Sequence, residues 1–524
     1  MPGCAAPSET PSLSPIPIPH LQRFYRPSKW RDNLPRPVYD ACSANQQLFC
    51  VRQASKKGVV QTVNRWIKNI GFLFLCFLLL GRVSFGQLPE APPSPGPDAR
   101  YKADIMVMVA HPDDESLIAS FLAREAIDGH KRIAVTFGTC GNSGGNTVGY
   151  EQAASLCAVR QIEARRALAS LGITNVWFLG GVDTASQSPL ISLETWNHGA
   201  ALERAVRYVR LTEPDVIITW LPDYADGENH GDHQASSVIA NEAFDLAGNP
   251  LIFPEQVTAP YNYKLIGNLT EGLRPWQPKK IYFFTNAAHH DWLEGLGPVY
   301  SAMTVSPSRH IPYYELGATE LSYHQTQEDA GPEGREAVYK SMVEHFKHPV
   351  QFILGKSLVG GSRTGDVFEG ITPGPIPFHA TPGYQSQQHE GVSVELGGPY
   401  LFYQRFWKAH GLEHLASLYP PEAGVGPGME VSVPLIIRND TDSAAKVSLT
   451  ASVPKGWKEE SGSAIYPVAA HNSYPIRAIF AAPDGTRPVW QEISFKAADG
   501  GKTVSSVTLR VSDTPSGPVA TLRK

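Results

Sequence analysis

From Lys102 onward, short unbroken apolar runs alternate with stretches of helical texture, and this alternation limits the fold more than any other feature of the chain. Residues 104–110 (DIMVMVA), 131–138 (KRIAVTFG), 175–179 (NVWFL), 215–221 (DVIITWL) and 280–285 (KIYFFT) lack the polar alternation of a strand with one wet face. They are strands of the kind buried on both faces. Between them, residues 116–128, 151–171 and 196–211 read as helices, the second closed by Gly172, and another helix follows His230. Strands and helices in this order build an α/β, Rossmann-like, mostly parallel sheet with helices on both faces. Ligands bind such sheets beyond the carboxyl ends of the strands. The polar segments 111–115, 138–146, 180–183 and 223–233 all follow strands, so they converge on one rim.

The rest of the chain divides by texture. Residues 1–66, rich in Pro, Ser and Arg near the start, read as a disordered or mis-assigned extension. Residues 67–86 hold the apolar run IGFLFLCFLLLG, preceded by Arg65 and Lys68 and followed by Ser84 and Gly86. That order is expected of a signal peptide cleaved near Gly86–Gln87, with an uncleaved membrane anchor as the alternative. Residues 87–101 are a Pro-rich linker, and residues 102–415 hold the α/β domain. Residues 416–428 include a Pro/Gly hinge, after which the apolar period switches to two at 430–437, 446–453, 474–481, 492–497 and 504–511. Residues 429–515 are therefore expected to form an all-β sandwich.

The formal net charge of −5 gives no footprint for nucleic acid. No pair of the 6 cysteines has CxxC spacing, which speaks against a thiolate metal site. Cleavage near residue 86 would leave only Cys140 and Cys157, either as one disulfide or as two free thiols.

At the mouth of the first strand, His111-Pro112-Asp113-Asp114-Glu115 crowds one imidazole with three carboxylates. A divalent cation would relieve their repulsion. Asn229-His230-Gly231-Asp232-His233 adds two imidazoles from the end of the fourth strand. Two nitrogen ligands and one oxygen ligand suit zinc, with water in the fourth position. Taken alone, each segment also fits a helix cap or a surface loop. Their convergence on adjacent strand ends favours a metal site.

The paired motifs AHPDDE and HGDH resemble those of the PIG-L/LmbE family of zinc-dependent N-deacetylases, over about residues 102–330. The resemblance implies one zinc per chain held by His111, Asp114 and His233. It implies Asp113 as the general base toward the attacking water. It casts His230 as the electrophile that steadies the oxyanion, with a role in protonating the leaving amine. Arg160 and Asp183 match sugar-contacting positions of the family. His324, in LSYHQTQ, resembles a late His-x-Ser-Gln element, with Thr326 in place of Ser, which implies a substrate-binding residue lining the site; a buried structural histidine is the alternative. Glu115 is expected to support the ligands rather than join them, and Asp232 to cap a helix or orient His233. Gly141-Asn142 departs from the Gly-Glu or Gly-Asp of many relatives, which leaves the zinc set intact and bears on substrate identity. His289-His290-Asp291 reads as a loop.

The expected function is hydrolysis of the acetamide of an N-acetylglucosamine-type substrate by an exported protein, releasing acetate, with association with the cell envelope left open. Two alternatives stand beside it: a glycan-binding or surface protein with a vestigial catalytic domain, and a zinc amidase acting on a non-sugar amide. Trp457, Tyr466, Tyr474 and Trp490 are the sandwich aromatics that could bind sugar if exposed.

Overall fold

The computed structural model describes residues 97–512, leaving out 223–229, 258–272, 286–292, 328–342, 345, 382, 384–390, 417, 419 and 485–488. The expected signal peptide and His289-His290-Asp291 lie outside the described residues. So does most of the loop before His230.

Five strands are parallel: β1 (Ile105–Val109), β2 (Ile133–Thr139), β3 (Asn175–Gly181), β4 (Val216–Trp220) and β5 (Lys280–Phe284). A small ribbon of β6 (Val299–Tyr300) and β7 (Val350–Gln351) follows, and β8 (Ile353–Ser357) closes the main sheet antiparallel to β5. The sheet has 6 strands in the order β3-β2-β1-β4-β5-β8. Strand order reverses between β1 and β4, and this switch point is where a ligand crevice opens in such folds. The first and fourth loops, which carry the two histidine motifs, flank it.

The unbroken apolar runs have a direct physical role. Met106 and Met108 of β1 enter one core layer with Val206, Val238 and Phe244. Ile105, Val107 and Val109 point the other way, toward Phe121, Ala164 and Leu168. A strand with helices on both sides has no wet face, so it needs no polar alternation. The helices are α1 (Ala119–Ala123), α2 (Ala153–Ser170), α3 (Pro189–Thr195), α4 (His198–Thr212), α5 (Gly231–Leu246) and α6 (Tyr313–Leu321). The helix expected over 116–128 is a composite: a 3-10 turn at Asp114–Ile118, then α1, then a π turn at Arg124–Asp128.

The C-terminal region is a β-sandwich of two sheets. One has the order β10-β17-β16-β12-β14, the other β13-β15-β11-β9. The strands are β9 (Val392–Leu396), β10 (Glu422–Gly424), β11 (Glu430–Asn439), β12 (Ala445–Ser452), β13 (Lys458–Ser461), β14 (Ala464–Val468), β15 (Asn472–Ala481), β16 (Gln491–Asp499) and β17 (Lys502–Ser512). Val433, Leu435 and Ile437 of β11 point inward with Phe480, Phe495 and Leu509, as the two-residue period requires.

The chain does not pass from one fold to the other through residues 416–428 alone. β9 precedes that segment and pairs with β11, Leu396 opposite Leu435. After β9, helix α7 (Gly398–Ala409) returns to the α/β core, where Tyr403, Phe406 and Trp407 are buried. Within the expected linker, β10 pairs with β17, and Arg510 forms an ion pair with Glu422. VSVEL has the two-residue period of the sandwich strands, but it lies before the Pro/Gly segment and apart from the others, so the sequence did not join it to them. Cys140 and Cys157 are joined as a disulfide. No helix among the described residues is long and apolar enough to cross a membrane.

Candidate active site

The HPDD turn begins where β1 ends, with side chains fixed by backbone donors. Asp114 Oδ2 accepts from the backbone amides of Ala110 (2.8 Å) and His111 (3.0 Å) and from Trp220 Nε1 (2.8 Å). Its other oxygen, Oδ1, lies 3.2 Å from His233 Nε2 and 3.7 Å from His111 Nδ1. One carboxylate oxygen is thus pinned and the other is presented to two imidazoles. Burial opposes the charge on Asp114, yet His233 and His111 outweigh it and hold the carboxyl well below its usual range. Trp220 stacks on His233 at 4.3 Å between ring centroids, setting the plane of that imidazole. His233 Nδ1 is buried and has no hydrogen-bond partner among the described residues.

His111 Nε2 faces away from Asp114, lying 3.2 Å from Asp183 Oδ1 and 3.3 Å from Asp232 Oδ2. Burial alone would favour neutral His111, but Asp114, Asp183 and Asp232 raise it well above the ordinary histidine value. Such a clustering of buried imidazoles and carboxylates fits a divalent cation. His111 Nδ1, Asp114 Oδ1 and His233 Nε2 are a set of two nitrogens and one oxygen, the donor types of an open catalytic zinc site. Carboxylates behind a ligating imidazole fix its orientation and raise its basicity. Asp232 does this for His111, not for His233 as expected, and is itself held by the backbone N and Oγ1 of Thr184 (2.8 and 2.7 Å).

Asp113 and His230 lie beside this set. Asp113 takes a left-handed backbone conformation, φ 114°, and its amide donates to Glu115 Oε2 at 2.9 Å. Burial, then the Asp114 charge, push its carboxyl up to about 8. His230 caps α5, its Nδ1 accepting from the Asp232 amide at 3.3 Å. That contact leaves the proton of the neutral ring on Nε2. Burial first, then His233 and His111, push His230 down to about 4, so it is neutral near pH 7.

The three residues expected to touch substrate have other partners here. Arg160 is buried, donating from Nη1 to Gly141 O (2.7 Å), from Nη2 to Gly145 O (2.8 Å) and from Nε to Thr326 Oγ1 (3.3 Å). It shapes the glycine-rich loop instead of reaching out as a free arm. The glycines permit this: a Cβ on Gly141 or Gly144 would meet Arg160 Nη1 at 2.3 or 2.6 Å. Asp183 backs His111 and accepts from the Ser143 amide at 3.0 Å. His324 is 1% exposed, and its Nε2 lies between Glu115 Oε1 (3.3 Å) and Glu320 Oε1 (3.5 Å), as a buried structural histidine would. The helical texture around Arg160 and the loop position of Asp183 gave no sign of these bonds, because both depend on chain far away in sequence. Trp220 and Thr184 were missed as members of the site. The indole at the end of a buried strand was the one available signal. Among the sandwich aromatics, Trp457 is core, whereas Tyr474 is 40% exposed and packs on Tyr466.

Fold and site together define an α/β domain with a histidine–carboxylate, metal-type cluster at its topological switch point. Residues 106–244 match the PIG-L family, GlcNAc-PI de-N-acetylase, so the chain carries a PIG-L domain. A 1D-myo-inositol 2-acetamido-2-deoxy-alpha-D-glucopyranoside deacetylase of Streptomyces scabiei is 30% identical over 214 residues, 38% of this chain and 60% of that protein. The protein of the same name from Streptomyces avermitilis is 26% identical over 318 residues, 53% of this chain and 99% of its own length. The first of these matches thus spans less than two thirds of the relative. Among solved structures, the N,N'-diacetylchitobiose deacetylase of Pyrococcus horikoshii aligns at 16% identity and a TM-score of 0.34, over 48% of this chain and 84% of its own.

Proposed function

We propose that this protein is a zinc-dependent N-deacetylase that hydrolyses the acetamide of an N-acetylglucosamine-type sugar, releasing acetate and the free amine. The observation that carries the reading is the Asp114 carboxylate, with one oxygen pinned by three N–H donors and the other facing His111 and His233. The PIG-L domain and the amino-sugar deacetylases among its relatives support the substrate class.

His111, Asp114 and His233 would hold one zinc ion, which when bound acidifies water and polarises the amide carbonyl. Asp113 takes the proton of the attacking water and later returns it to the departing nitrogen. Its place next to Asp114 in the HPDD turn puts a carboxylate beside the ion, where it can accept and give up a proton. His230, neutral with its proton on Nε2, donates a hydrogen bond to the oxyanion that develops on the carbonyl. We further propose that the protein acts after export. The Cys140–Cys157 disulfide supports that reading, since such bonds persist in oxidising compartments.

The test pairs elemental analysis of the purified protein with acetate release from N-acetylglucosamine glycosides. About one zinc per chain with acetate release is expected. Zinc without release would move the substrate away from these sugars, and failure to retain any divalent metal would overturn the reading.

A further inference from the structure

Outside the ligand set lies a second buried cluster, made of Glu115, Glu320 and His324, which are 0%, 0% and 1% exposed. It is linked to the turn that bears Asp113. Glu115 Oε2 receives the Asp113 amide at 2.9 Å while Glu115 Oε1 faces His324 Nε2 at 3.3 Å. On the far side, Glu320 Oε2 accepts from Ser116 Oγ at 2.7 Å. Three residues past His324, Gln327 Nε2 donates to the carbonyl of Pro112, the residue before Asp113. The C=O and N–H of the single Pro112–Asp113 peptide are thus held by two side chains, Gln327 of the 324–327 turn and Glu115, which faces His324 of that turn. Between these anchors, Thr326 gives its amide and hydroxyl to Glu163 at 3.1 and 2.6 Å and receives Arg160 Nε.

We propose that the 324–327 turn is a positioning brace, in which His324, acting through Glu115, and Gln327 hold Asp113 in its left-handed conformation. None of these residues touches the reacting atoms. Their work is mechanical. A non-glycine residue with φ 114° is held there only by surroundings that over-determine it. These two bonds fix the Pro112–Asp113 peptide plane on one side of the N–Cα bond about which φ turns, and the Asp113 carbonyl, accepting from the Ser116 amide at 2.9 Å, holds the other side. The same turn carries Thr326, so one short segment also fixes the Arg160 side chain that shapes the glycine-rich loop. The His-Gln-Thr-Gln segment that follows α6 thereby has a role at a site built from the first and fourth loops.

The proposal rests on the deacetylase reading only for the role of Asp113 as base, and the experiment separates the two. In the full chain, Gln327→Met keeps side-chain volume and removes the donor to Pro112, while Glu115→Ala removes the acceptor of the Asp113 amide. Amide hydrogen exchange is followed in the peptide spanning residues 110–118, alongside zinc content and steady-state acetate release. Both variants are expected to exchange that peptide faster than wild type while keeping zinc. For Gln327→Met, kcat should fall by about tenfold or more with KM little changed, since small misplacements of a reacting group cost rate rather than binding. A role limited to stability would leave kcat at normal values below the melting temperature. Unchanged exchange in both variants would overturn the brace whatever the activity. So would a fall in kcat/KM carried entirely by KM. Faster exchange in a protein that hydrolyses no acetamide sugar would keep the brace and sink the deacetylase reading instead.

Discussion

At the residue scale, the proposed function separates residues that would hold an ion from residues that would act beside it, and substitutions should reveal that division. His111→Ala removes one of the nitrogens facing Asp114 Oδ1, so metal retention and turnover should be lost together, read by elemental analysis and acetate release. His230→Ala should keep the metal if His111, Asp114 and His233 are the ligands, although a ring nitrogen of His230 also lies within 4.8 Å of those of His111 and His233. Its kcat should fall by about 10²–10³, the usual cost of deleting one oxyanion donor. Loss of metal from His230→Ala would return that imidazole to the ligand set. The motif residues were legible in the sequence because their crowding of charge within a few positions demands a counter-ion. Arg160, Asp183 and His324 were not, because what each side chain does is set by partners brought in from elsewhere: Gly141 and Thr326, His111 and Ser143, Glu115 and Glu320.

At the element scale, β1, β2, β4 and β5 are buried throughout and could be read from their near-continuous apolar runs, whereas β3 at the sheet edge is only partly buried and was read from its short run NVWFL. Strand β9 and helix α7 could not be read so, since a five-residue strand and an aromatic-rich helix acquire meaning only against their partners. The joint between α5, α7 and β8 is itself testable. Asp245 of α5 accepts from His410 Nδ1 at 2.6 Å, just past α7, and pairs with Lys356 of β8. Burial raises its carboxyl, but His410 and Lys356 outweigh burial and hold it below the usual value. Since the folded value is depressed, Asp245 contributes stability above the unfolded carboxylate value of about 3.9 and loses it as pH falls through the folded value. Asp245→Ala leaves Lys356 buried without its partner and should destabilise the protein by about 3–5 kcal/mol near pH 7. In denaturant titrations, the gap between wild type and variant should narrow toward low pH. A gap independent of pH would mean that packing, not charge, accounts for the loss.

At the scale of the whole molecule, the question is whether the sandwich hangs from a hinge or is built into the α/β domain. The Pro/Gly texture of residues 416–428 suggests a hinge, but the path of the chain argues for integration. The chain enters the sandwich at β9, returns to the α/β core through α7, and enters the sandwich again at β10. α7 buries Tyr403, Phe406 and Trp407 in the α/β core, and Tyr403 donates to Gln234 of α5 at 2.6 Å. On its other side, Tyr400 packs against the sandwich core and donates to Glu422 O at 2.9 Å. Each fully buried large side chain contributes roughly 1.5–3 kcal/mol, so α7 docks with several times the energy of thermal motion. No single backbone cut can therefore free one domain from the other. Limited proteolysis of the full chain checks this. Cleavage within residues 416–428 should yield two fragments that still co-elute on size exclusion, because β9 stays paired with β11 across the nick. Both fragments should part only under conditions that also unfold the α/β core. Two fragments that separate freely under native conditions, the first still active, would show that the sandwich is a tethered module and that the excursion through β9 and α7 does not bind it.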